Sequence, residues 1–234
     1  AWSVSRTGAI TPVALVTPIE LSGAMVSRCS LHNISIMKKL GISQGATVVA
    51  MRRGGVIPHI EAVAATGHTP ISVPERCPSC QGPTRLNEAH RRKRNKDTGE
   101  METQVFQFLY CQAPSRCPDA MRGTIEHFVK ATEIDGFGPK VVGQLLSKGL
   151  VREAADLFRL TPDHLLPLER MGAILAKKLV DQIQARRQLP LATFLRALGI
   201  DDLGTVVARQ LAAHCVSLER CRALGMAELA GDPA

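Results

Sequence analysis

The sequence predicts a multidomain α+β chain: a small β-barrel, then a four-cysteine finger, then an all-α tandem repeat. Three observations predict it. Short Val/Ile/Leu runs punctuated by glycine fill residues 1 to about 73. Four cysteines with metal-ligand spacing lie between Cys77 and Cys117. Beyond residue 124 an apolar–glycine turn recurs between helical patterns. The expected boundaries are 1–74, 75–122 and 123–234.

The β part comes first. Candidate strands are Thr11 to Val16, Ile19 to Leu21, Ala46 to Met51, Val56 to Ala65 and Ile71 to Val73. Gly8, Gly23, Gly41, Gly45 and the Gly54–Gly55 pair separate them. Several short strands at this spacing point to a barrel rather than a βαβ unit. The segment Leu31 to Leu40 reads as a short helix or turn between strands. A five-stranded barrel of about 70 residues is the size of an OB-fold, which often presents a nucleic-acid surface. Arg28, Arg52 and Arg53 are its candidate phosphate contacts, against a plainer reading as solvated charge. Trp2 is the only aromatic in this part, so stacking platforms for single strands are missing and a duplex is favoured.

The finger follows. Cys77-Pro78-Ser79-Cys80 has the spacing at which a tight turn aims two thiolates at one ion, with Zn–S distances of about 2.3 Å. Cys111 and Cys117 supply two more. Four thiolates make a closed shell, the structural kind of zinc site. The alternatives are two disulfides or unrelated thiol pairs. The 30-residue spacer between Cys80 and Cys111 is longer than a compact ribbon requires. Its run His90-Arg91-Arg92-Lys93-Arg94-Asn95-Lys96-Asp97-Thr98-Gly99 is too polar to pack and reads as an exposed hairpin tip or partly disordered loop.

The helical part repeats. Its bends are Ile134 to Lys140, Leu168 to Gly172, and Leu198 to Gly204. Their last glycines, Gly138, Gly172 and Gly204, are separated by 34 and 32 residues. Such a period marks a repeated supersecondary unit, here the helix-hairpin-helix. Val141, Val142, Leu145 and Leu146 are expected to form the buried face of the first following helix. Ile174, Leu175, Leu179 and Ile183 do so for the second, and Val206, Val207, Leu211 and Ala212 for the third. A glycine lets the backbone approach a ligand, and the helix start offers free N–H groups and a positive dipole end. A phosphate fits there without any reading of base sequence. Gly136, Gly138, Gly172 and Gly204 are therefore candidate DNA contacts, with Lys140, Lys177 and Lys178 adjacent. The plainer reading is a helical bundle whose glycines are caps. The period places a fourth hairpin glycine near position 236, so Leu218 to Leu229 read as the lead-in of a truncated fourth repeat.

Composition bounds the rest. The chain has 234 residues, 45% hydrophobic but only 3% aromatic, so its cores are aliphatic. A net charge of +8 favours a polyanionic partner. No window approaches a membrane span. Seven cysteines with no secretory leader point to a reducing compartment. Cys29, Cys215 and Cys221 read as buried small hydrophobes. The first residue is not Met, and the chain reads as a piece of something larger.

In this order the motifs resemble the bacterial NAD-dependent DNA ligases. Val4 to Ala14 is similar to the Val-Gly-Arg-Thr-Gly junction after that family's nucleotidyltransferase domain. Val26 to Asn33 is similar to its Ala-Thr-Leu-His-Asn motif, with Cys29 in place of the usual Ala. Arg52 to Pro58 resembles its Arg-Ala-Gly-Asp-Val-Ile-Pro strand. His127-Phe128-Val129, Asp135 to Gly138, Ala155 to Phe158 and Leu198 to Ile200 fit its helical half. The departures are clear: no Lys-x-Asp-Gly motif is present, Ala9 replaces a basic residue, no BRCT-like region follows, and the finger insert is long.

The resemblance implies sealing of nicks in double-stranded DNA, in bacterial cytoplasm, with no obligate protein partner. A lysine takes AMP from NAD and passes it to the 5′-phosphate; the 3′-hydroxyl then displaces it, with Mg2+ assisting. This chain has no catalytic and no NAD-binding candidate, so it is expected to transfer no AMP by itself. Its implied share is the clamp: barrel near the nick, hairpins gripping the duplex through the minor groove, and a structural Zn2+ as the corner between them. The competing reading is a freestanding, non-catalytic zinc and helix-hairpin-helix adaptor.

Overall fold

The computed structural model describes residues 1–54, 56–94 and 99–224, without the Arg53 side chain. It divides into two compact units, Ala1–Ala120 and Met121–Ala234. Among the described residues no helix is long and apolar enough to cross a membrane.

The first unit opens with β1 (Trp2–Val4) and the long β2 (Ala9–Leu21), an antiparallel pair. Gly8 turns between them at φ +81°, and a Cβ there would come within 3.0 Å of Pro114 Cβ. The tight Arg6-Thr7-Gly8 turn can therefore lie directly on the cysteine segment, where the Cys111 N–H donates to the Gly8 carbonyl at 2.8 Å. β2 spans two runs that the sequence divides at Pro18, and a register shift between Leu15 and Ile19 absorbs the proline. Its partner β3 (Ala24–Ser30) was not anticipated as a strand. It alternates buried Val26 and Cys29 with exposed Met25 and Arg28.

The expected helix after it is α1 (Ile34–Lys39). Asn33 caps it by accepting from the Ile36 N–H at 2.9 Å, and Lys38 and Lys39 sit at the negative end of its dipole. Ile34 and Met37 point inward. Next come β4 (Ser43–Gln44), β5 (Thr47–Arg53), β6 (Ile57–Ala65) and β7 (Thr69–Pro70). β5 pairs with β6 and β4 with β7. Ile71 to Val73, expected as a strand, is irregular, though Ile71 and Val73 still pack on the core. That core joins Val26, Cys29, Leu31, Met37 and Ile60 across both hairpins and α1.

The finger extends the same sheet. β8 (Thr84–Arg94) and β9 (Met101–Cys111) form an eleven-residue ribbon, and β9 pairs with β2 through Ala9–Tyr110 and Ile10–Leu109. The sheet thus runs past the boundary expected at residue 74.

The second unit is helical. α2 (Pro118–Ala131) begins at the boundary and buries Ile125, Phe128 and Val129, one turn apart on one face. α3 (Pro139–Ser147), a 3-10 turn at Ala154–Arg159, α4 (Pro162–Leu165) and α5 (Ala173–Ala185) follow. α6 (Leu191–Ala197), α7 (Thr205–Cys215) and α8 (Leu218–Ala223) complete it. Its core is aliphatic, with Val142, Leu145, Leu157, Leu165, Ala176 and Ile183 wholly buried; Phe128 and Phe158 meet edge to face, 6.1 Å between ring centres. Of the expected fourth repeat, α8 is the described part, and positions 225–234 lie outside the described residues.

Candidate metal centre and nucleic-acid interface

The four cysteines come from two short turns. In the first, the Gln81 N–H donates to the Cys77 carbonyl and the Cys77 N–H to the Gly82 carbonyl, with Gln81 left-handed at φ +58°. This wraps the chain so that Cys77 and Cys80 face one point. In the second, Cys111 ends β9 and Cys117 follows a 3-10 turn at Pro114–Arg116, directly before α2. Ser79 Oγ accepts from the Asp119 N–H at 3.1 Å and binds the first turn to the start of that helix.

Cys77 Sγ lies 3.8 Å from Cys117 Sγ, Cys80 Sγ lies 3.5 Å from Cys111 Sγ, and all four sulfurs are within 4.8 Å of one another. A tetrahedron with arms of about 2.3 Å has edges of about 3.8 Å. The donor set and the spacing therefore fit a four-thiolate zinc shell. No pair is disulfide-bonded. Cys77 and Cys117 are fully buried and Cys111 nearly so, within a cluster holding Ile10, Ile34 and Leu109. Burial, and then contact with the neighbouring thiols, pushes Cys111 up to about 12. A cation bound among the four sulfurs would offset the negative charge of its thiolate ligands.

The three bends share one backbone plan. Gly138, Gly172 and Gly204 are the N-caps of α3, α5 and α7. Two residues earlier, Gly136, Arg170 and Asp202 are all left-handed, at φ +86°, +58° and +63°. The cap glycines themselves are extended, with φ between −71° and −96°, which any residue adopts. A Cβ at any of the three would meet nothing within 4 Å. None of them uses a side-chain cap, so no cap side chain takes up the first N–H groups of these helices, which in α3 begin at Lys140 because Pro139 has none.

Gly136 differs. A Cβ there would collide with Leu179 Cδ2, so internal packing and its φ both account for it. Lys140 is exposed. Lys177 forms a 2.7 Å ion pair with Asp181 one turn on, both side chains largely exposed. Arg28 is exposed on β3. Arg52 turns inward: its guanidinium donates to the carbonyls of Leu21 at 3.3 Å, Ser22 at 2.9 Å and Val56 at 3.3 Å, bracing two turns. Arg53 ends β5, and its side chain lies outside the described part.

The apolar faces need correction. Val142 and Leu145 are buried as expected, and so are Leu179 and Ile183. Ile174 is 89% exposed and Val206 67%, with Leu175 and Val207 exposed to a lesser degree. The inward stripe of α5 is Ala176, Leu179, Val180 and Ile183. Ile174 precedes that stripe by two residues and so points about 200° away from it. The sequence reading also missed two features. One is the length of the β8–β9 ribbon: an exposed hairpin tip was expected at 90–99, but not the eleven-residue strands leading to it, which Phe106, Phe108 and Tyr110 at alternate positions signal. The other is Asp156, whose carboxylate accepts from the N–H groups of Arg152 at 2.9 Å and Glu153 at 3.2 Å.

Of the three remaining cysteines, Cys29 and Cys215 are the buried packing residues expected, whereas Cys221 is only half-buried. Burial together with a hydrogen bond to Cys215 pushes Cys221 up to about 11.

A family model described as the NAD-dependent DNA ligase OB-fold domain matches residues 1–70. A DNA ligase of Stutzerimonas stutzeri is 38% identical over 225 residues, covering 94% of this chain and 28% of that ligase. One from Haloarcula marismortui is 41% identical over 219 residues, covering 92% of this chain and 29% of the relative. One from Alkalilimnicola ehrlichii is 40% identical over 240 residues, covering 99% and 33%. The chain thus spans about a third of the length of the curated relatives it matches.

Proposed function

From the match of residues 1–70 to the OB-fold domain of the NAD-dependent DNA ligases, we propose that this chain is the duplex-clasping portion of a nick-sealing ligase. The observation that carries the reading is the set of three cap glycines at 138, 172 and 204. Neither φ nor internal packing requires glycine at any of them. A ligand that must come within hydrogen-bond distance of the main chain does require it. The first N–H groups of α3, α5 and α7, at positive dipole ends, suit a phosphate oxygen. Such a grip holds the sugar–phosphate backbone and ignores base sequence, as a sealing enzyme needs.

The remaining roles follow from this. Residues 1–74 form the barrel beside the nick, 75–122 the finger, and 123–234 a tandem helix-hairpin-helix domain. Cys77, Cys80, Cys111 and Cys117 hold a structural Zn2+ that ties the first cysteine turn to the end of β9. Lys140 and Arg28 add ionic contacts, and Lys177 does so if it leaves Asp181. Arg52 holds the barrel's turns in place instead. The exposed Ile174 and Val206, in the first turns of α5 and α7, can lie against sugar faces. Adenylation from NAD and Mg2+-assisted phosphoryl transfer are assigned to the remainder of the parent enzyme, since no residue here forms a Lys-x-Asp-Gly nucleophile.

The test is Gly138→Ala, Gly172→Ala and Gly204→Ala, singly and together, in the full chain. Each should melt like the parent, because the added methyl meets no protein atom. Affinity for nicked duplex should fall about fivefold or more per site, the scale of one lost charge-assisted hydrogen bond. Unchanged affinity in the triple variant would overturn the reading.

A further inference from the structure

The finger carries an element that neither the metal centre nor the hairpins account for. Its ribbon is tied to the body as far out as the Glu88–Gln107 register pair. There the Gln107 N–H donates to Ser35 Oγ at 2.8 Å, and Lys38 Nζ reaches Gln107 Oε1 at 3.3 Å. Six further residues on each strand, to Arg94 and Met101, continue the ladder without a break. At about 3.4 Å per residue the ribbon projects roughly 20 Å beyond its last tie. Every side chain of β8 beyond Glu88, and every one of β9 before Phe106, is exposed.

Its charge is one-sided. His90, Arg91, Arg92, Lys93 and Arg94 follow one another on β8, and across from them β9 contributes one carboxylate, Glu102. Register assigns the faces. His90, Arg92 and Arg94 share a face with Val105, Thr103 and Met101; Arg91 and Lys93 share the other with Gln104 and Glu102. One face is thus cationic with no acid between Glu88 and the end of the ladder. Charge is also a common defence of exposed strand edges against aggregation. Protection of the edge and contact with phosphate are separated by the salt dependence of DNA binding, which edge protection alone would not change.

We propose that the β8–β9 ribbon is an additional DNA-contacting element, whose cations neutralise backbone phosphates of the duplex held by the same chain. A two-stranded ribbon has the width that the major groove of B-DNA admits. Its base is set by the cysteine centre, because Thr84 pairs with Cys111 at the first rung. The arm therefore leaves the body in a fixed direction and can lengthen the footprint. The proposal rests on the reading that this chain holds duplex DNA.

The test compares the full chain with an Arg91→Gln/Arg92→Gln/Lys93→Gln/Arg94→Gln variant, and with a charge-keeping Arg91→Lys/Arg92→Lys/Arg94→Lys variant. All sites are exposed, so melting curves should coincide. Affinity for a nicked 40-base-pair duplex is titrated at several salt concentrations. The slope of log affinity against log salt should flatten by about 0.9 for each engaged cation, roughly 3 to 4 in the neutral variant. Affinity at ~0.1 M salt should drop about tenfold or more. The hydroxyl-radical footprint should shorten at one edge, and the lysine variant should restore all three readouts. Parent-like slope and footprint in the neutral variant would overturn the proposal while leaving the clasp intact, even if that variant aggregates more readily. A change confined to single-stranded DNA would overturn it too. A parent chain that fails to bind duplex at all would remove the clasp and the ribbon contact together.

Discussion

Gly136 and Gly138 stand two residues apart and do opposite things. Gly136 is left-handed at φ +86°, and a Cβ there would strike Leu179. Gly138 is extended and faces open space. Gly136→Ala should therefore destabilise the helical unit by about 1–3 kcal/mol, from left-handed strain together with displacement of a buried leucine. Gly138→Ala should leave the melting temperature unchanged or slightly raised, since alanine at a compatible φ restricts the unfolded chain. Parallel thermal melts of the two variants decide the matter, and equal losses would refute the assignment. The spacing of glycines was legible in the sequence; which glycine serves the fold and which faces outward was not. The difference is a φ value and one leucine methyl from 43 residues away. Arg52 teaches the same lesson. An arginine beside a glycine turn looks like a phosphate ligand until three main-chain carbonyls are found around its guanidinium.

Among the elements, the 3-10 turn at Ala154–Arg159 depends on one carboxylate. Asp156 accepts from the Arg152 and Glu153 N–H groups and pairs with Arg159 at 2.9 Å. The Arg152 N–H, first among these, holds its carboxyl below the usual carboxylate range. A depressed folded-state value adds stability above the unfolded value of about 3.9, and that stability is lost as pH falls through the folded value. Asp156→Ala should cost about 0.5–2 kcal/mol at neutral pH, as for a lost cap. The gap from the parent should close as pH is lowered below about 4. Denaturant melts at pH 7 and pH 3 measure this; a pH-independent gap would show that the carboxylate's charge is irrelevant. Elements were legible where the apolar period was clear, as for the helix after each cap glycine. They were obscured where polarity masked the pattern. β8 has too few apolar residues to announce a strand, and its regularity comes from pairing with β9 along a ladder that starts at Thr84 and Cys111. The buried faces of α5 and α7 were misassigned because the first apolar residues after each glycine were taken as inward, although the stripe begins only at Ala176 and Ala208.

For the whole molecule, the two units are held by different means. The first gathers its metal-site cluster around Ile10, Leu109 and three buried cysteines, and the second packs eighteen buried aliphatic and aromatic residues with no cysteine among them. A structural four-thiolate zinc contributes folding free energy directly, because the unfolded chain offers no preformed site. The purified chain should carry about one equivalent of zinc. Chelation under reducing conditions should then open the first unit near its cysteines and expose residues 75–120 to protease. It should leave the helical circular dichroism of the second unit, and that unit's melting transition, close to the holo values. Cys77→Ser should reproduce the chelated state without a chelator, whereas Cys29→Ser, which removes a buried thiol outside the cluster, should keep the metal. Two results would break this account. One is a helical signal that collapses as the metal leaves. The other is an unchanged protease pattern around the four cysteines after the metal has gone, which would mean that apolar packing alone holds the turns together.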